Sequence, residues 1–337
     1  MKPQSAYPSA GGRMKIRTLY LSSLFFAAAA LSACGIGPSE EGSFDRNLAV
    51  SGATRLELSN GSGSVRITGS TDGKVHIHGQ VSAGSFFGSA KDELKKVLDN
   101  PPIEQHAGSI RIGKDFTGFR NTSISYTIEV PQETEVFIKV ASGSQEIKNV
   151  RGPVEVESAS GDVRVENVDR NVQIKSASGS IHVQNLGDDA RMTSASGSIE
   201  VDTVKGDLRT HALSGSITIK SPGGRVDAET ASGSVQVYGA NNDVKASSAS
   251  GGINVQGNPS GNSYWHLRTA SGGVDVSVPK DAGFHLSAEA ISGQIRTDLP
   301  IIIEDQDKHS LRARIGTPGG RVEIRTASGG IHVQPTS

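Results

Sequence analysis

The chain has 337 residues with a formal net charge of −1, and its 41 glycines stand against 13 prolines and only 4% aromatic residues. This glycine content, with frequent Val, Ile, Ser and Thr, favours short strands and tight turns over helices. A single cysteine excludes a fold held by intramolecular disulfides, and the lack of a long basic run excludes a typical nucleic-acid-binding footprint.

Residues 1–33 have the pattern of a signal peptide. A basic segment at 13–17 precedes an apolar run at 18–33, which is shorter than the ~20 residues that span a membrane. The 13 residues before Met14 look dispensable, so Met14 is an alternative start. Removing the leader leaves 30 basic and 35 acidic residues in the remaining chain.

The only thiol of the protein closes this segment. Leu31-Ser32-Ala33-Cys34 resembles the lipobox of bacterial lipoproteins, a family in which the cysteine is acylated and becomes the mature N-terminus. We therefore predict lipid attachment at Cys34; an incidental cysteine or a buried anchor are the alternatives. Gly35 stands where an Asp would resemble an inner-membrane retention signal, which favours the outer membrane.

The next segments lead into the folded part. Residues 34–53 are small and polar and predict a tether, followed by one domain over 54–337. Apolar residues alternate through 54–82, which predicts a first, less regular coil. Residues 89–99 predict one short helix, which begins after Ser89 and ends before two prolines. We expect this helix to pack over the side or end of the domain; a docking helix for a partner is the alternative.

A Ser-Gly pair recurs through the rest of the chain. After Gly293 the expected corner at 311 is a leucine, and the 18-residue spacing resumes at 329, so 186 residues divide into ten coils. Two of the intervals measure 21 residues. The glycines of these pairs are at 143, 161, 179, 197, 215, 233, 251, 272, 293 and 329.

Within one coil the apolar residues alternate twice. Val163 and Val165 face inward, then Val172 and Ile174, with polar residues between them. A period of two predicts two short strands per coil, and the glycine closes a tight corner between them. One coil cannot bury a core by itself, so the coils must stack. The sequence therefore predicts an all-β, single-chain β-solenoid of about ten 18-residue coils with one short helix near its N-terminal end.

Two segments break the pattern. Trp265 occupies an inward position, which predicts a core residue, whereas Tyr264 beside it is expected to be exposed. The apolar run at 299–303 predicts a buried strand or cap; an exposed apolar contact patch is the alternative.

The Ser-Ala-Ser-Gly corners followed by Ile or Val resemble those of the bacterial putative adhesin domain, a domain of unknown function related to the LiaG-like proteins. The segments at 128–131 and 276–279 strengthen the resemblance, which covers about residues 45–335. It implies an envelope-associated, all-β, non-enzymatic protein with an adhesive or stress-linked role. The motifs of that family define no functional residues, so none is carried over.

The serines do not predict a nucleophile. Ser277 and Lys280 fit the spacing Ser-x-x-Lys, but Ser277 lies between two inward valines and the match stands alone. The corner serines recur in every coil, which marks them as structural. We therefore predict no catalytic residues.

No metal or cofactor site is predicted either. His76 and His78 point outward on one strand and could share a metal, but no third ligand is evident, so a solvated face is favoured. The acidic clusters at 188–189 and 304–307 fit turns better than a dedicated cation site.

The pattern as a whole favours a non-catalytic envelope lipoprotein whose solenoid serves surface adhesion or scaffolding. Its expected partners are the membrane, through the lipid anchor, and a surface glycan or protein, with no nucleic acid and no cofactor. One alternative is a carbohydrate-active β-helix enzyme acting on envelope polysaccharide, which would gather carboxylates in one groove. Another is a structural protein that polymerises end to end through strand edges.

Overall fold

The computed structural model describes residues 39–52, 54–84, 89–113, 122–317 and 319–336. The predicted signal peptide and Cys34 lie outside these residues. All described residues belong to one compact unit. Its N-terminal elements are β1 (Ser39–Ala49), β2 (Arg55–Ser62), β3 (Val65–Ser70), β4 (Lys74–Gly84), α1 (Ala90–Asp99), β5 (Ile103–His106), β6 (Ser109–Ile112) and β7 (Thr122–Pro131).

The remaining elements are all strands. The regular part contains β8 (Glu135–Ser142), β9 (Gln145–Val150), β10 (Val154–Ser160), β11 (Val163–Val168), β12 (Val172–Ser178), β13 (Ile181–Leu186), β14 (Ala190–Ser196), β15 (Ile199–Val204), β16 (Leu208–Ser214), β17 (Ile217–Pro222), β18 (Val226–Ser232), β19 (Val235–Ala240), β20 (Val244–Ser250), β21 (Ile253–Gly257), β22 (Tyr264–Ser271) and β23 (Val274–Val278). The C-terminal part contains β24 (Phe284–Ser292), β25 (Ile295–Thr297), β26 (Ile301–Gln306), β27 (Ser310–Ile315), β28 (Gly320–Ser328) and β29 (Ile331–Pro335).

The strands form two long sheets, and each coil contributes one strand to both. The first sheet has the order β1-β4-β7-β3-β9-β11-β13-β15-β17-β19-β21-β23-β29-β25. The second sheet has the order β26-β27-β24-β28-β22-β20-β18-β16-β14-β12-β10-β8-β2-β6-β5. From β8 to β23 the strands alternate between the sheets and pair in parallel, which confirms the predicted β-solenoid.

The register of the regular part follows the 18-residue period. Val163 of β11 pairs with Ile181 of β13, and Val172 of β12 pairs with Ala190 of β14. Side chains alternate between the two faces of each strand, so identical positions stack into ladders. The inward ladders of both sheets form one continuous hydrophobic core.

Glycine is required at the corner between the two strands of a coil. At Gly197 φ is +128°, a conformation that side-chain-bearing residues rarely adopt. Its N–H donates a hydrogen bond to the carbonyl of Ser214 in the next coil, at 3.0 Å. A Cβ atom there would overlap the carbonyl oxygen of Gly179 in the preceding coil. The repeated glycine is therefore set by backbone conformation and by close stacking together.

The opposite corner uses asparagine. Asn149, Asn167 and Asn185 all have φ between +56° and +58°, in the left-handed region that asparagine tolerates better than most residues. The side-chain amide of Asn167 donates to Asn149 Oδ1 at 2.9 Å, and that of Asn185 donates to Asn167 Oδ1 at 3.0 Å. These bonds run from coil to coil and reinforce the stacking of the strands.

The C-terminal coils do not stack in chain order. Strand β28 lies between β22 and β24, and β29 lies between β23 and β25. The last coil of the chain, formed by β28 and β29, is therefore inserted between the coil of β22 and β23 and the coil of β24 and β25. The prediction of a coil with a lost corner glycine at Leu311 is wrong, because Leu311 belongs to β27, which runs antiparallel to β24 and forms a hairpin with β26.

The N-terminal end shows the same arrangement. Strand β2 lies between β6 and β8, and β3 lies between β7 and β9. Strand β4 pairs antiparallel with β7, and β1 pairs antiparallel with β4. The part of 54–82 that forms β4 is thus an antiparallel extension and not part of a coil. The predicted tether is wrong for Ser39–Ala49, which forms β1 and buries Phe44 in the core.

The short helix lies where the sequence predicts it. The Ser89 hydroxyl caps the N-terminus of α1, and Val97 is fully buried. Leu94 and Leu98 face Gly42 of β1, so the helix packs on the antiparallel extension. Among the described residues, we find no helix with the length and apolarity needed to cross a lipid bilayer.

Candidate functional site: the outer face of the second sheet

Ion pairs between neighbouring coils cover much of the outer surface. On the second sheet, Glu157 binds Lys139 at 3.4 Å and Lys175 at 2.9 Å. The hydrogen bond from Lys175 lowers the pKa of Glu157 below its ordinary value. Such exposed pairs contribute little stability one by one, but they keep the face charged, solvated and regular.

The C-terminal end of this face begins at Tyr264. Its neighbour Trp265 is fully buried, and the indole N–H donates to the carbonyl of Asn242 at 2.9 Å, which confirms that Trp265 belongs to the core. The Tyr264 side chain points outward and is 39% exposed, as predicted. Its hydroxyl donates a hydrogen bond to Glu323, which raises the pKa of Tyr264 and lowers the pKa of Glu323.

Tyr264 is the first member of a row of outward side chains, two of them arginines, that runs across the strands. Each member pairs in register with the next on the neighbouring strand, so their side chains stand side by side on the outer face. We call this set the arginine row. In spatial order its members are Tyr264, Arg321, His285, Arg314 and Ile302.

The arginine row contains no acidic residue. His285 lies directly between Arg321 and Arg314, and within the described residues neither arginine forms an ion pair. Arg321 and Arg314 thus stand two strands apart without an ion pair among the described residues, and Glu304 lies 4.0 Å from the His285 between them. Elsewhere on the same sheet, Glu157 pairs with lysines of both neighbouring coils.

A second row, parallel to the first, carries the acids. Arg312 binds Asp305 at 3.8 Å, and Glu323 binds Arg325 at 2.9 Å and lies 3.7 Å from His266. The arginine row, one side chain wide, therefore has carboxylates along its flank.

A shallow groove of about 240 Å³ lies on the far side of the second row. Arg268 and Arg325 stand opposite each other along one wall, and the 65% exposed side chain of Ile291 forms the other. Ala270 and Ala327 form a floor that is low because their side chains are small. Among the described residues, Arg268 has no ion-pair partner.

The apolar segment at 299–303 is partly exposed. Leu299 is buried, but Ile302 and Ile303 of the edge strand β26 are 57% and 53% exposed. The prediction of a buried strand is wrong for these two residues, and the alternative of an exposed apolar patch describes them. Ile302 faces outward beside Arg314 and ends the arginine row.

Ser277 and Lys280, whose spacing matches Ser-x-x-Lys, do not contact each other among the described residues. Ser277 is half-buried on the first sheet, and its hydroxyl accepts a hydrogen bond from Gln334 at 3.3 Å. Within the described part of the chain, Lys280 makes no hydrogen bond or ion pair with it. Cys34, the predicted lipid attachment site, lies outside the described residues.

The two outward histidines of β4 have separate partners. His76 contacts Asn47 through Nδ1 at 2.7 Å and Asp72 through Nε2 at 3.0 Å, whereas His78 contacts Asp45 at 2.8 Å. Within the part of the chain that the structure describes, no three potential metal ligands lie close enough together to hold an ion.

The carboxylates of the acidic clusters accept hydrogen bonds from backbone N–H groups at turns. Asp189 accepts the backbone N–H of Asp207 in the next coil at 2.8 Å, so its carboxylate extends the pairing of the strands around the corner. Asp307 accepts the N–H groups of His309 and Ser310 in the hairpin between β26 and β27, and the bond from His309 is the main cause of its lowered pKa.

A groove lined with carboxylates, of about 210 Å³, lies on the first sheet. Glu200 lies 3.3 Å from His182 and 2.9 Å from Lys220, and the bond from Lys220 lowers the pKa of Glu200. A general acid for glycoside hydrolysis needs a raised pKa, so this shift is opposite to the one that glycosidase chemistry requires.

Sequence reasoning did not find the arginine row. Its members come from β22, β28, β24, β27 and β26, and the first three of these strands are neighbours only because the last coil is inserted out of chain order. The signal in the sequence was the missing corner glycine at 311, because Leu311 lies in the second strand of the hairpin that interrupts the coils.

The model of the Toastrack DUF4097 family matches residues 53–334. No curated protein sequence matches the chain. The chain is structurally similar to a putative cell adhesion protein from Clostridium sporogenes, with 13% identity, a TM-score of 0.23 and coverage of 88% of this chain and 100% of that one.

A putative adhesin from Bacteroides fragilis is similar at 15% identity and a TM-score of 0.33, with coverage of 89% of this chain and 100% of that one. The family match confirms the resemblance inferred from the Ser-Gly corners. Since that match spans most of its length, the chain belongs to the Toastrack DUF4097 family.

Proposed function

We propose that this protein is a non-catalytic, lipid-anchored protein of the cell envelope whose solenoid faces serve adhesion or scaffolding. The lipobox-like sequence that ends at Cys34 supports the anchor. Gly35, in the position where an Asp would resemble an inner-membrane retention signal, favours the outer membrane. In this proposal the protein reaches its ligand, a surface glycan or protein, through the outer face of a sheet.

One observation carries the proposal: polar and charged side chains are spread along continuous outer faces, and the grooves among them are shallow. The corner serines, the ion-paired lysines and the members of the arginine row are each spaced one strand apart. A surface of this kind offers many equivalent contacts to an extended ligand, whereas catalysis needs a few groups that converge on one bond.

The anchor is tested by metabolic labelling with palmitate in a bacterial host. We expect the wild-type chain to incorporate the label and to fractionate with membranes. The Cys34→Ala variant is expected to lose the label, because thioether formation needs the thiol. The Ser22→Ala variant, altered in the same segment with the thiol retained, serves as the control. Label that persists in Cys34→Ala contradicts the anchoring part of the proposal.

Adhesion is tested by immobilising the full chain on beads in non-ionic detergent and incubating the beads with bacterial envelope fractions. We expect retention of envelope material above that of beads carrying an unrelated lipoprotein. Equal retention by the two bead types contradicts the adhesive role.

A further inference from the structure

We propose that the arginine row binds a single extended chain of an acidic polysaccharide through its anionic groups. This inference rests on the proposed adhesive function and names the class of ligand and the residues that bind it. The binding groups are Arg321, His285 and Arg314, with the ring of Tyr264 at one end.

The geometry of the row suits a linear polymer. Strands in a sheet are ~4.8 Å apart, so the side chains of the row are repeated at that distance along the stacking direction. This spacing is comparable with the length of one sugar unit in an extended chain. A polymer lying along the row therefore meets Tyr264, Arg321, His285 and Arg314 in succession.

The chemistry of the row suits anionic sugars. Guanidinium groups bind carboxylate and sulfate groups with two parallel hydrogen bonds, which an ammonium group cannot do. Arg321 and Arg314 form no ion pair among the described residues, so their donors are free for a ligand. The partly exposed ring of Tyr264 offers an apolar surface on which the face of a sugar ring can stack.

The fold leaves the two arginines of the row without carboxylate partners among the described residues. An anionic ligand lying along the row would supply those partners to Arg321 and Arg314 on either side of His285. An opposed pair of arginines, Arg191 and Arg209, also occurs on the same face, but there Arg209 lies 3.7 Å from Asp227, which neutralises part of the charge.

The row fits one chain better than a broad anionic surface. Glu323 and Asp305 stand in the next row, a single side chain away, and Glu304 lies 4.0 Å from His285. A membrane of anionic lipids laid on this face would meet these carboxylates together with the arginines. A polymer one sugar wide can follow the cations and leave the acids in water.

The test measures binding of the full chain, in non-ionic detergent, to polygalacturonate by isothermal titration calorimetry, with neutral dextran as the uncharged probe. We expect binding to polygalacturonate that weakens as salt is added, and none to dextran. The double variant Arg314→Gln/Arg321→Gln should bind polygalacturonate at least about tenfold more weakly.

The matched control is Arg191→Gln/Arg209→Gln, which removes the same charge from the same sheet face. It should change the affinity by less than about twofold. The melting temperature of Arg314→Gln/Arg321→Gln should be unchanged, because neither arginine forms an ion pair among the described residues that the substitution would break. This outcome separates a binding role from a structural one.

Three results would overturn the inference. They are equal losses in the two double variants, no binding of polygalacturonate by the wild-type chain, and competition by phosphatidylglycerol mixed micelles as strong as that by free polygalacturonate. If envelope fractions are still retained by the wild-type chain in any of these cases, the adhesive function stands and only the ligand class is wrong. If envelope retention fails while polygalacturonate binds, the adhesive function is wrong and the site is kept.

Discussion

At the scale of single residues, the corners explain why the sequence repeats so strictly. The stacking distance between coils leaves no room for a Cβ atom at positions such as Gly197, where φ also requires glycine. On the opposite corner, Asn167 supplies a left-handed conformation and a hydrogen bond to the coil on either side. Both residue types are therefore fixed by the backbone, and neither marks a site of chemistry.

A substitution at a corner tests this reading. We expect Gly197→Ala to lower the free energy of unfolding by at least about 2 kcal/mol, because the new methyl group overlaps the Gly179 carbonyl and the backbone is strained. Urea denaturation followed by circular dichroism measures the change. Gly73→Ala, at an exposed turn where a Cβ meets nothing within 4 Å, should change it by less than about 0.5 kcal/mol. Similar losses in both variants would contradict the steric explanation.

At the scale of elements, neighbouring strands are linked by glutamate–lysine bonds that make stability depend on pH. Glu157, Glu200 and Glu229 each have a pKa lowered below 4.5, and the main cause in each is a hydrogen bond from a lysine on the neighbouring strand. The pKa of Glu146 is lowered in the same way by a bond from a lysine of its own strand, Lys148, which also binds Glu166 in the next coil. A carboxyl group with a lower pKa in the folded state stabilises the fold above its unfolded pKa. That contribution is lost as the pH falls through the folded value.

We therefore expect stability to be level between about pH 6 and pH 9 and to decrease as the pH falls below 4.5. The partner lysines, with pKa values raised above 10.5, add a loss only at the alkaline end, as the pH rises through their folded values. Thermal melts across this range measure the effect. A melting temperature that stays constant down to pH 3 would show that these pairs contribute nothing measurable.

The sequence predicted the elements of the regular part well and those of the ends poorly. Between Glu135 and Val278, alternation and the 18-residue spacing are enough, because each strand pairs with the strand one coil away. At the ends, the pairing of Val274 with Ile331 depends on residues far apart in sequence, and no local pattern specifies it. The arginine row was missed for the same reason, since it exists only after this pairing.

At the scale of the whole molecule, the regular coils are interchangeable units between two specialised ends. Each middle coil contacts only its neighbours, and its inward ladder continues from Val163 through Ile181 to Ile199. Stability in such a stack is close to a sum over coils and their interfaces.

Removing one complete coil should therefore preserve the fold. Deleting residues 180–197 brings Gly179 next to Ser198, which restores the Ser-Gly-Ser corner, and we expect a β-type circular dichroism spectrum and a single cooperative transition at a lower temperature. Deleting only 189–197 removes β14 from the second sheet but keeps β13 in the first. The strands of the two sheets then no longer alternate along the chain, so this variant should not fold cooperatively. Equal behaviour of the two deletions would contradict the coil as the unit of the structure.

The interleaved ends also create a competition during folding. Strand β23 ends up beside β29, yet β25 comes earlier in the chain and carries the same Ser-Gly corner before it. When the chain folds from its N-terminal side, β24 and β25 can stack directly on β22 and β23. They then occupy the position that β28 and β29 hold in the final fold. That premature stack must open before the last coil enters, and long-range rearrangements of this kind slow folding and expose strand edges. The residues that complete the arginine row are thus among the last to reach their final neighbours.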